Sequence, residues 1–72
     1  MNNARRKIIE KAIGDLQQIF ADLEACRDEE QEAFDGMPEG ERGQQSEAAI
    51  SELDSAIGDI ENVISSLETA KE

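Results

Sequence analysis

An all-α fold is what this 72-residue sequence predicts: an antiparallel two-helix hairpin that pairs with a second copy into a four-helix bundle. Three observations predict it. Two long segments carry apolar residues at alternating three- and four-residue steps, one glycine- and proline-containing break separates them, and both apolar stripes are wider than one neighbouring helix covers. The composition alone, acidic, poor in aromatics and with a mean hydropathy of −0.63, resembles that of disordered chains. The periodicity overrides it.

In the first segment Ile9, Ile13, Leu16, Phe20 and Leu23 step by four, three, four and three, the d, a, d, a, d pattern of a heptad seam. Ala12, Ile19 and Cys26 fall at the adjacent g positions and widen it. This places helix 1 over about residues 3–34. The break follows at 35–40, Asp35-Gly36-Met37-Pro38-Glu39-Gly40. Gly36 is suited to a left-handed helix end, and Pro38 prevents simple continuation.

Helix 2 is expected over about 41–70, with Gly40 as N-cap and Glu41 in the first turn, or with a later start at Ser46. Its seam is Ile50, Leu53, Ile57, Ile60, Ile64 and Leu67, and Ala49, Ala56, Val63 and Ala70 fill g. Each helix would be about 45 Å long at ~1.5 Å per residue. A short loop folds them back antiparallel.

The segments echo each other. Ala12 to Glu24 and Ala56 to Glu68 are identical at six of thirteen positions and share one heptad register. Shared bundle geometry explains most of that likeness. Gly14 and Gly58, both at the outward b position, fit either a close-approaching helix or the relic of a repeat. The seam is also uneven: Arg27 and Glu30 interrupt helix 1, and Gly43 and Ser46 interrupt helix 2, all toward the loop. Phe34 and Met37 are the large apolar residues left there. They either close the hairpin end over Ala48 or anchor a partner.

Charge is sorted by position. The net charge is −11, yet residues 1–11 hold Arg5, Arg6, Lys7 and Lys11 against Glu10, a local +3. Residues 12–70 hold 16 acids against Arg27 and Arg42, a local −14. Many of these acids crowd the loop end. Folding back sets the basic end beside Glu68 and Glu72, where neutralisation within the chain competes with phosphate binding by Arg5, Arg6, Lys7 and Lys11. The expected partner site is instead the acidic tip, Asp28, Glu29, Glu32, Asp35 and Glu39 with Phe34 and Met37, facing a basic protein surface.

Several classes are excluded or disfavoured. With no histidine and one cysteine, neither a Cys/His zinc site nor a His-activated nucleophile can be built in one chain. Cys26 reads as a small core residue, and a lone cysteine suits a reducing, intracellular setting. The acidic run lacks the alternating ligand spacing of an EF-hand. No apolar run approaches the length of a bilayer span, and no signal-peptide core follows Arg5, Arg6 and Lys7. No cofactor, metal or catalytic residue is expected, and membrane and nucleic-acid partners are disfavoured.

The run Arg27-Asp28-Glu29-Glu30-Gln31-Glu32-Ala33-Phe34-Asp35-Gly36-Met37-Pro38-Glu39-Gly40, followed by Glu41-Arg42-Gly43, Ala49-Ile50 and Ala56-Ile57, resembles a group of small acidic helical proteins encoded in bacterial and phage genomes. The opening Asn3-Ala4-Arg5-Arg6-Lys7 is similar too. Where that group's pattern has a serine before Glu-Arg-Gly, this chain has Gly40, and its loop is a few residues shorter. The resemblance implies a small phage or prophage accessory protein in the bacterial cytoplasm and carries over no active-site residue. The resulting expectation is a self-associating, non-enzymatic interaction protein that binds a basic surface of a host protein, with inhibition of a nucleic-acid-handling or defence system as the role such binding suggests. A nucleic-acid or nucleotide binder is the alternative.

Overall fold

The computed structural model describes residues 1–38 and 43–72. It is an all-α hairpin of two long helices, α1 (Asn3–Asp35) and α2 (Gln44–Lys71), packed along their lengths into a rod of 57 × 14 × 12 Å. Side-chain bridges fix the antiparallel sense. Arg6, near the start of α1, reaches the main-chain oxygens of Lys71 and Glu72, and Arg27 reaches Asp54.

Helix α1 starts where its orphan N–H groups find a partner. The Asn2 side chain accepts from the Arg5 N–H at 2.9 Å, and the Asn2 carbonyl accepts from Arg6. Its far end differs from expectation. Gly36 stays right-handed, at φ −79° and ψ −11°. Its N–H donates to the Glu32 carbonyl, and the Met37 N–H then donates to Phe34. The helix tapers through one more turn rather than reversing, so no left-handed glycine is needed there.

Helix α2 begins at Gln44, later than the expected residue 41, because Gly43 is extended (φ −89°, ψ 150°) and serves as N-cap without a side-chain hydrogen bond. Ser46, the alternative start, lies inside the helix. The expected N-cap Gly40 and first-turn Glu41 lie outside the described residues.

The seam residues turn inward, but the core is slight. Among the described residues only Ile13 and Ile57 are buried, at 6% and 8% exposure. Leu16, Phe20, Leu23, Leu53, Ile60, Ile64 and Leu67 are half-buried. The g positions are barely covered: Ile19 and Val63 remain 45% and 46% exposed, and Cys26 is exposed rather than a core residue. A Cβ added at Gly14 or Gly58 would meet nothing within 4 Å, so no close helix approach inside the hairpin explains either glycine.

Candidate functional site

The loop end of α1 divides the expected site in two. Asp28, Glu29, Glu32 and Asp35 are all exposed. At about 100° per residue they fall within one outward sector of the helix, Asp28, Glu32 and Asp35 stacked on successive turns and Glu29 beside them. Phe34 and Met37 sit at seam positions a and d, roughly opposite, and both are half-buried. The helix therefore gathers the carboxylates and separates them from the two apolar residues. Ala48 is exposed, so it is not the residue that Phe34 and Met37 cover. Glu39 lies outside the described residues.

Hydrogen bonds hold part of this acidic ladder in place. Gln31 Nε2 donates to Asp35 at 3.0 Å, and Arg27 Nε donates to Asp28 at 2.8 Å. The second arm of Arg27 crosses to Asp54 of α2 at 2.6 Å. Two carboxylates thus share one guanidinium, and the hydrogen bonds it donates to Asp54 and then to Asp28 hold Arg27 above its ordinary pKa. In sequence Arg27 looked like a gap in the seam. In the fold it is a polar cross-link between the helices that complements their register.

The acids at the end of this ladder, Glu32 and Asp35, also sit against the local backbone field. The last turn of α1 contains no base, and its first turn contains no acid. A helix dipole favours the reverse. Helix α2 follows the favourable pattern, with Glu47 in its first turn and Lys71 in its last.

The basic end is partly occupied by the hairpin itself. Arg6 donates to the carbonyls of Lys71 (2.9 Å) and Glu72 (3.2 Å) and to the Asn3 side chain (3.3 Å). It thereby satisfies the orphan carbonyls that end α2. The neutralisation expected from the Glu68 and Glu72 carboxylates is replaced by this capping contact. Lys11 pairs with Asp15 one turn on at 2.9 Å, and that hydrogen bond, with its charge, raises the Lys11 pKa. Of the four cations of the alternative phosphate site, Lys11 alone forms an ion pair among the described residues, Arg6 being engaged with main-chain oxygens.

The long faces of the rod differ in chemistry, a feature the heptad lettering contains but the seam alone does not reveal. Gln17, Glu61 and Glu68, all at e, rim an open groove of about 330 Å³ together with Phe20, Ile64 and Ser65. Glu10, Glu24, Gln31, Glu47 and Asp54 continue that e flank, which is acidic or amide throughout. The opposite, g flank is apolar: Ala12, Ile19, Cys26 and Ala33 on α1 and Ala49, Ala56, Val63 and Ala70 on α2. Ile8, 69% exposed, extends its line toward the start of α1.

Among the described residues no three potential metal ligands converge, and no helix is long and apolar enough to cross a membrane. No family model, curated protein or solved structure matches the chain.

Proposed function

We propose that this chain is a small non-enzymatic interaction protein that self-associates through its apolar flank and presents the loop-end carboxylates to a basic surface of a partner protein. The observation that carries this is the division of its surface. The g line carries no acid, the acids on that side standing one position out at c, while Asp28, Glu29, Glu32 and Asp35 project together from the outward side of α1. Glu32 and Asp35 oppose the dipole of their own helix, and charges kept against local stability are characteristic of binding surfaces. A rigid ladder of carboxylates complements the kind of surface that otherwise holds phosphates. The sequence resemblance supports a phage or prophage setting in which such a surface belongs to a host nucleic-acid-handling or defence protein.

Two measurements test it. Proteins retained from a bacterial host by the immobilised chain should be lost when Asp28, Glu29, Glu32 and Asp35 are all changed to lysine, with helical circular dichroism preserved. Retention of every partner by that variant refutes the docking role. Light scattering should return the mass of two chains, and the mass of one chain refutes self-association.

A further inference from the structure

The self-association through the apolar flank proposed above leaves open the direction and register in which two copies meet. We propose that a second copy of this chain docks on the g flank about a two-fold axis perpendicular to the rod at the level of Ile19, so that α1 lies antiparallel on α1 of the other copy. This rests on the self-association reading and adds the direction and the register.

The choice of face follows from chemistry. Of the exposed large apolar side chains among the described residues, Ile19 and Val63 lie at g, Ile8 lies at the neighbouring c position, and Met1 precedes α1. The e flank is lined by Glu10, Glu24, Glu47, Asp54, Glu61 and Glu68, and two such surfaces repel. Alanine at Ala12, Ala33, Ala49, Ala56 and Ala70 lets two helices approach closely between the larger side chains.

The occupant follows from symmetry and charge. On α1 the g stripe is balanced about Ile19. Ala12 and Cys26 lie one heptad to either side, and Arg5 and Ala33 lie two heptads away. Phe20 and Ile64 line one groove, so their sequence neighbours Ile19 and Val63 are level on the two helices. An axis at that level sets each of these side chains toward its own copy, the self-complementary contact a two-fold interface requires. The same rotation carries Arg5, Lys7 and Lys11 to the level of Asp28, Glu29 and Glu32 of the second copy. The other two-fold arrangement, with α1 lying on α2 of the second copy, would place both basic ends together and both acidic tips together. Charge complementarity selects between them.

Cysteine cross-linking reads the register. In this arrangement Cys26 of one copy faces Ala12 of the other, while the two Cys26 residues are about 20 Å apart along the axis, at ~1.5 Å per residue. Under mild oxidation Ala12→Cys should run mainly as a disulfide-linked dimer, whereas the unmodified chain should not cross-link. The double change Ile19→Cys and Cys26→Ser should cross-link at the axis, and serves if Ala12→Cys fails to fold. A two-chain mass by light scattering with neither variant cross-linking overturns the register and leaves self-association standing. Efficient cross-linking of the unmodified chain through Cys26 also overturns it. A one-chain mass overturns both.

Discussion

Ile13 and Ile57 carry a larger share of this fold than their number suggests, because no other described side chain is buried. Truncating a buried isoleucine to alanine costs about 2–5 kcal/mol. A single core in a chain this short supplies roughly 3–5 kcal/mol. Ile13→Ala or Ile57→Ala is therefore expected to abolish most of the helical circular dichroism at room temperature. Gly14 and Gly58 work in the opposite sense. With open space where a Cβ would stand, Gly14→Ala and Gly58→Ala should each stabilise the hairpin by roughly 0.5–1 kcal/mol, measured by urea denaturation. A loss of stability at either site, appearing only at high protein concentration, would instead place a neighbouring copy against that glycine.

At the scale of the helices, the two differ in how their charges meet their dipoles. Helix α2 is conventional at both ends, whereas α1 starts among Arg5 and Arg6 and finishes among Glu32 and Asp35. Arg6 recovers part of the deficit by capping the neighbouring helix. Glu32 has no such outlet among the described residues, so Glu32→Lys should raise stability by roughly 0.3–1 kcal/mol in thermal melts at low salt. The same change should weaken partner docking, and a residue whose loss helps folding while harming binding is present for binding. The upward shifts at Lys11 and Arg27 bear on pH in one direction. A raised value in the folded state adds stability at lower pH that is lost only as pH rises through it, so these pairs persist through neutral and mildly alkaline solution.

For the molecule as a whole, the architecture was legible in the sequence because the repeat of Ile, Leu and Phe outweighed a composition typical of disorder. The loop end was less legible for a physical reason. Glycines at Gly36, Gly40 and Gly43 permit several helix ends, and only the backbone shows that Gly36 stays right-handed while Gly43 turns extended. The split of the acidic tip from Phe34 and Met37 was available from the heptad lettering, since b, c and f residues cannot share a face with a and d. Grouping by closeness along the chain hid it. The bridge from Arg27 to Asp54 was legible only in part, because seam spacing marks a polar interruption without naming the residue across from it.

The grip of Arg6 on the last two carbonyls has a mechanical consequence. It places the first and last turns of the hairpin side by side, so a force applied through the two chain ends loads the helix pair across its contacts rather than along them. The Arg6 hydrogen bonds would part first. The adjoining turns would then separate in order toward Arg27 and Asp54. A load carried along the rod, from the Arg6 end to the acidic tip, is resisted by all of those contacts together. The hairpin is thus weak when its two helices are drawn apart at the Arg6 end and strong when loaded along its length.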